Sequence, residues 1–194
     1  MFHSDPVPLA LIAHPDAPGA AVRSIGVRVR AQAGELRLEY VMAGDLARVR
    51  LPAEARGGRA DGLWRHTCFE AFLGLAGSPG YLELNFSPSG QWAAYRFSGY
   101  RRDMTPLELA SPPRIHARRE GERLTLETSV SCGALAAHAA SDRPAAAQLG
   151  LAAVVEEDSG TLSYWALGHF GARPDFHDRR AFSAGLPALQ VHTP

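Results

Sequence analysis

The stretch from Trp64 to Tyr100, WRHTCFEAFLGLAGSPGYLELNFSPSGQWAAYRFSGY, gathers the side chains most suited to polar chemistry. Side chains alternate between the two faces of a strand, so parity tells which of them share a surface. In a strand at 81–86, Leu82, Leu84 and Phe86 take one face, and Tyr81, Glu83 and Asn85 take the other. In the strand before it, His66, Cys68 and Glu70 oppose Phe69, Ala71 and Leu73. In the strand after it, Tyr95 and Phe97 form the apolar set, leaving Trp92 and Arg96 opposite. With these strands as neighbours, one sheet face carries a core. The other carries His66, Glu70, Glu83, Asn85, Trp92 and Arg96, with Trp64 at its entrance.

An aromatic plate beside two carboxylates, an amide and a guanidinium suits a polyhydroxylated ligand. The apolar face of a sugar ring stacks on indole, and its hydroxyls seek carboxylate, amide and guanidinium partners. The same residue types also fit a plainer arrangement, in which Glu70, Glu83 and Arg96 form cross-strand ion pairs on a wet sheet face. Glu70 and Glu83 are, in addition, the minimal pair for glycoside hydrolysis. However, the chain has no Gly-x-Ser-x-Gly elbow and no His-Glu-x-x-His motif. His66 and Cys68 put two soft ligands on one strand face, but no second pair completes a tetrahedral metal set. His177, between Asp175 and Asp178, forms a further corner with metal-binding or acid–base potential.

The elements that must position these residues read as strands. Val7 to His14 is a first strand. Ile25, Val27 and Val29 alternate with Gly26, Arg28 and Arg30, and Leu36 to Val41 alternates again after Ala33-Gly34, which predicts a hairpin. A short strand is expected at Leu46 to Leu51, followed by a loop from Pro52 to Gly62. Three strands follow at His66 to Leu73, Tyr81 to Phe86 and Gln91 to Ser98, separated by Gly77-Ser78-Pro79-Gly80 and Ser87-Pro88-Ser89-Gly90. Further strands are expected at Arg114 to Arg119, Leu124 to Val130, Gln148 to Glu156 and Leu162 to Leu167. The best helix candidate is Gly133 to Ala140, and the tail after His169 reads as irregular. Many short strands with polar turns predict a mostly-β fold, a single antiparallel β-sandwich domain over residues 1–194 with at most one or two short helices.

Composition narrows the function classes. The 194 residues carry 20 basic and 20 acidic side chains, and every basic one is arginine. Without lysine there is no Schiff base, no pyridoxal-phosphate anchor and no Walker-type phosphate lysine. Local pairs such as Arg118-Arg119 and Arg179-Arg180 do not make a basic stripe long enough to point to a nucleic acid. The two cysteines, Cys68 and Cys132, are read as reduced thiols of a cytoplasmic protein. The apolar patch from Val7 to Ala13 is too short to span a membrane.

The runs Leu63-Trp64-Arg65-His66-Thr67-Cys68-Phe69-Glu70, Glu83-Leu84-Asn85-Phe86-Ser87-Pro88-Ser89-Gly90 and Trp92-Ala93-Ala94-Tyr95 resemble bacterial DOMON-like proteins, a group related to family-nine carbohydrate-binding modules. Glu156, Ser163 to Leu167 and Pro174 to His177 extend the resemblance over most of the chain. It implies a β-sandwich whose concave sheet binds a sugar or a haem. A haem is held between axial Met and His side chains in some relatives, for which Met42, Met104 and eight histidines are the candidates here. The expected function is a non-catalytic small-ligand-binding module for a saccharide or sugar-containing metabolite, with no other cofactor. Trp64 and Trp92 would stack on the ligand, and His66, Glu70, Glu83, Asn85 and Arg96 would complete the site. A protein–protein module using Tyr164 and Trp165 is the alternative from another class.

Overall fold

Strand-forming segments of this chain pair in an almost wholly antiparallel ladder. The computed structural model describes residues 8–32, 34–75, 77–131 and 147–186. Its strands are β1 (Leu9–Ala13), β2 (Val22–Gln32), β3 (Glu35–Gly44), β4 (Gly58–Arg59), β5 (Cys68–Leu75), β6 (Tyr81–Phe86), β7 (Gln91–Phe97), β8 (Thr105–Pro106), β9 (Arg114–Glu120), β10 (Arg123–Ser131), β11 (Ala147–Glu156), β12 (Leu162–Ala166) and β13 (Ala184–Leu186). Two 3₁₀ turns, Leu63–Arg65 and Arg179–Ala181, are the helical elements among the described residues. The helix candidate at 133–140 and Cys132 lie outside them. No helix of the described residues is long and apolar enough to cross a membrane.

The hydrogen-bonded order is β4-β7-β6-β5-β11-β12-β1-β2-β3-β10-β9, with β8 on β7 and β13 on β11. Strand β1 makes the ladder continuous. Its Leu9 pairs with Val27 of β2, while its Ala13 pairs with Trp165 of β12. The mostly-β expectation therefore takes the form of one curled sheet, a half-barrel, instead of two detached sheets.

The curl brings the inner faces of its two halves together. Leu36, Leu38, Tyr40 and Met42 of β3, with Leu124 and Leu126 of β10, share one core with Phe69 and Ala71 of β5, Leu82, Leu84 and Phe86 of β6, and Leu149 and Leu151 of β11. The Tyr40 ring lies 5.0 Å from that of Phe69, and its hydroxyl donates to the Glu70 carbonyl at 2.8 Å. Strands β3 and β10 alternate buried and wet residues, the pattern of a half-covered sheet. Every residue of β5 and β6 is buried. Their second face needs its own cover.

That cover comes from the chain after β12. Phe176 and Phe182 pack with Phe72, Tyr81, Ala93, Tyr95, Phe97, Ala152 and Val154 in a second apolar cluster. Two glycines make room for it. A Cβ on Gly74 would meet the Arg179 guanidinium at 1.5 Å, and one on Gly150 would meet Phe182 Cδ1 at 2.7 Å. Arg179 runs over this groove, donating to the Leu75 carbonyl at 3.0 Å and lying 4.7 Å from the Phe182 ring centroid. The tail is irregular over most of residues 170–183, as expected, but it packs as a layer and contributes β13 at Ala184–Leu186 to the sheet.

The strand expected at Leu46 to Leu51 is a turn carrying one isolated bridge, Val49 to Glu157. Asp45 closes that turn: its carboxylate accepts from Ala47 N–H at 3.2 Å and its carbonyl from Arg48 N–H at 3.1 Å. Side-chain-to-backbone bonding of this kind competes with a ladder. Substituting Gly150→Ala is expected to push Phe182 off the sheet and to cost roughly 1–3 kcal/mol, as overpacking does. Urea unfolding checks it: the midpoint should fall with an unchanged slope. An unchanged midpoint would show that Phe182 does not depend on this groove.

Candidate functional site

The covering layer does not seal the second face completely. In the β5–β6 ladder Glu70 pairs with Asn85 and Phe72 with Glu83, so Glu70, Glu83 and Asn85 share that face, as parity predicts. Above them opens a cleft of about 340 Å³, lined by Trp64, Glu70, Glu83, Phe97, Arg101, Met104, Val154, Tyr164, Pro174, Phe176 and His177. Glu70 and Glu83 are only 3% and 5% exposed. Asn85 Nδ2 donates to Glu83 Oε1 at 2.8 Å. Glu70 Oε1 and Asn85 Oδ1 are buried without a hydrogen-bond partner.

Burial sets the protonation of this floor. It pushes the Glu70 carboxyl well above the ordinary range, the neighbouring Glu83 charge pushes it further, and Arg101 opposes both. Burial likewise raises Glu83, against the Asn85 hydrogen bond and Arg101. His177 reaches the pair from the tail, with Nε2 3.8 Å from Glu83 Oε2. Burial, then Arg101, depresses His177 to about 4 against the pull of Asp175, so its ring is neutral near pH 7. Its Nδ1 lies 2.7 Å from the Tyr81 hydroxyl, whose oxygen already accepts from Arg101 N–H at 3.1 Å. Nδ1 and the Tyr81 hydroxyl thus share one hydrogen bond, and Nε2 is the ring nitrogen that faces Glu83.

Asp175 clamps the rim. Its carboxylate accepts from Tyr100 Oη at 2.6 Å, from Arg101 Nη2 at 2.9 Å and from His177 N–H at 3.1 Å. Burial works upward on this carboxyl, but those bonds together hold it below its ordinary value. Arg101 meets it with φ at 52°, a left-handed conformation uncommon outside glycine.

The remaining predicted residues divide. Trp64, on its 3₁₀ turn, lines the cleft and packs edge-on against Tyr95, with centroids 5.9 Å apart. His66 lies outside the lining and is exposed, its Nδ1 2.7 Å from Glu156 Oε2, while Arg50 binds the other oxygen, Oε1, at 2.5 Å. Trp92 and Arg96 are on the opposite face, which corrects the parity reading. Trp92 pairs with Phe86 and Arg96 with Leu82, so both share the face of the inner core. The reason is the turn: the closing pair is Phe86 with Trp92, one residue later than a four-residue loop gives, and a one-residue slip reverses every side chain. Trp92 is buried in that core, its Nε1 unpartnered, and Arg96 is exposed.

Other expectations are also redrawn. Cys68 is fully buried, and burial followed by the Glu70 charge pushes its thiol up, away from nucleophilic use with His66. Trp165 is a core residue that donates to Ser163 Oγ at 3.1 Å, so it offers no exposed interface. Met42 is fully buried. No group of three or more metal-ligating side chains occurs among the described residues. Sequence reasoning did not assign Arg101, Met104, Phe97, Tyr164 and Phe176 to the site. Only the Asp175–His177 corner signalled that the tail takes part.

No family model and no curated protein matches the chain. The fold is similar to that of a "putative carbohydrate-binding protein" from Bacteroides uniformis ATCC 8492, known from a crystal structure at 2.70 Å. The two superpose with a TM-score of 0.65 over 91% of this chain and 83% of that one, at 18% sequence identity. That likeness is one of fold.

Two predictions follow from the electrostatics and the register. A carboxyl whose folded pKa lies above its unfolded value stabilises fully below the unfolded value, and the contribution is lost as pH rises through the folded one. Glu70→Gln removes that loss, so the melting temperature of the variant should exceed that of the parent by more at pH 8 than at pH 5. His177 works in the opposite sense, losing stability as pH falls from 6.5 through about 4, and is common to both proteins. An equal gap at both pH values would show that Glu70 does not titrate differently on folding. For the indole in the inner core, Trp92→Ala should cost roughly 3–5 kcal/mol in denaturant unfolding. A loss within about 0.5 kcal/mol, ordinary for a surface site, would contradict its core placement.

Proposed function

We propose that the cleft binds a saccharide or sugar-containing metabolite without transforming it. The observation that carries this reading is the pairing of Trp64, with Tyr164 and Phe176, against a floor of Glu70 and Glu83 in one concave space, with Asn85 holding Glu83 from beneath. Rings offer stacking surface, and the carboxyls and amide offer fixed hydrogen-bond partners, the composition of small-ligand clefts. The name of the Bacteroides uniformis structure agrees with a carbohydrate ligand. We further place the chain among the DOMON-like relatives of family-nine carbohydrate-binding modules, with the curled sheet as its form of their sandwich.

Haem is the other ligand that resemblance raised, and Met104 and His177 do line the same cleft. The donor set does not fit it. His177 Nδ1 is engaged by the Tyr81 hydroxyl, its Nε2 faces Glu83 Oε2 at 3.8 Å, and the floor beneath is a pair of buried carboxyls. A Soret band in the purified protein would reverse this judgement.

The test is calorimetric titration with a panel of mono- and disaccharides, for the parent chain and for Trp64→Ala. Loss of the stacking ring should weaken the best sugar by about tenfold or more, with circular dichroism unchanged. Equal affinity in the variant would remove Trp64 from the site, and no binding of any sugar by the parent would sink the saccharide reading.

A further inference from the structure

The cleft floor holds more acceptor than donor. Glu70 Oε1 and Asn85 Oδ1, opposite each other across β5 and β6, are buried and unpartnered. Glu70 is more than nine-tenths buried and still faces the cleft it lines. Among the described residues, the nearby cations do not pair closely with the two carboxyls. Arg101 is bound to Asp175 at 2.9 Å, and His177, 3.8 Å from Glu83, is neutral near pH 7. Buried carboxyls without a counter-ion are costly, and a ligand that brings positive charge and several N–H donors removes the cost. The walls favour the same charge, since they include Trp64, Phe97, Tyr164 and Phe176, whose π-systems attract a cation.

We infer that the ligand carries a protonated primary amine, seated between Glu70 and Glu83 with Asn85 Oδ1 as a further acceptor; on the saccharide reading of the cleft, on which this inference rests, it is an amino sugar. The ammonium supplies the missing donors, and the sugar ring lies toward Trp64. Arg101 and Asp175 neutralise each other at the rim, which leaves the acidic floor as the ionisable feature that an ammonium can meet.

The probes are glucosamine, galactosamine and mannosamine, each against its hydroxyl parent and its N-acetyl derivative, with cyclohexylamine as an amine that is not a sugar. Titration calorimetry should show at least one amino sugar binding tenfold or more tighter than both its counterparts. In Glu70→Gln, and independently in Glu83→Gln, that preference should collapse while the thermal melt stays cooperative. Equal or tighter binding of the hydroxyl or N-acetyl sugars overturns the amine and leaves the saccharide reading standing. Cyclohexylamine binding as well as the best amino sugar supports the amine and removes the saccharide. A preference that survives both substitutions overturns the seating on Glu70 and Glu83, and no binding by any probe overturns the inference.

Discussion

Everything around the cleft depends on one constraint: β5 and β6 are buried on both faces. A strand buried on one side can leave polar residues in water on the other, as β3 and β10 do. The central pair cannot. The curl of the sheet supplies one cover, and the chain after β12 supplies the second. That second layer is short and must span a wide face, so it seals the sheet at Phe176 and Phe182 and leaves a gap over Glu70 and Glu83. The cleft lies where a cover made of tail runs out.

The same layer gives the cleft its electrostatics. By excluding water it raises the two carboxyls and depresses His177, three shifts with one cause. Its position is fixed by charge as well as by packing. Asp175 ties the tail to the Tyr100–Arg101 turn through two hydrogen bonds and accepts a third from His177 N–H within the tail, and the Arg101 amide in turn fixes the Tyr81 hydroxyl that orients His177. The left-handed φ of Arg101 is held by this mutual bonding, which is how an uncommon backbone conformation persists beside a site.

How much of this was legible in the sequence follows from what each signal measures. Alternation located the strands and placed Glu70, Glu83 and Asn85 together, because the β5–β6 ladder pairs even with odd residues, as their apolar partners require. The same reasoning misplaced Trp92 and Arg96. Strand β7 carries large apolar side chains on both faces, Trp92 on one, Tyr95 and Phe97 on the other, so residue type does not reveal which is the core side. Register then rests on the turn after Phe86, where one residue decides the outcome. The contacts of His177, Phe176 and Phe182 with β5–β7 join segments some ninety residues apart and leave no local trace. Only the glycines at 74 and 150 hint that something must sit close to the sheet.

Correcting the register also decides between the two readings of the acidic pair. Had Arg96 shared their face, Glu70 and Glu83 would be ordinary cross-strand ion pairs, common on sheets and worth little. Arg96 points to the other side and is exposed, so that explanation is removed. What remains is a pair of carboxyls that are both desolvated, with the Glu83 charge working against ionisation of Glu70. Apolar side chains of similar size would serve the fold better, as replacements of buried charge often do. A buried polar group that faces a cleft and lacks a partner is what the proposed ligand would complete. Fold similarity at 18% identity could not supply that conclusion. The proposal rests instead on the chemistry of the cleft floor.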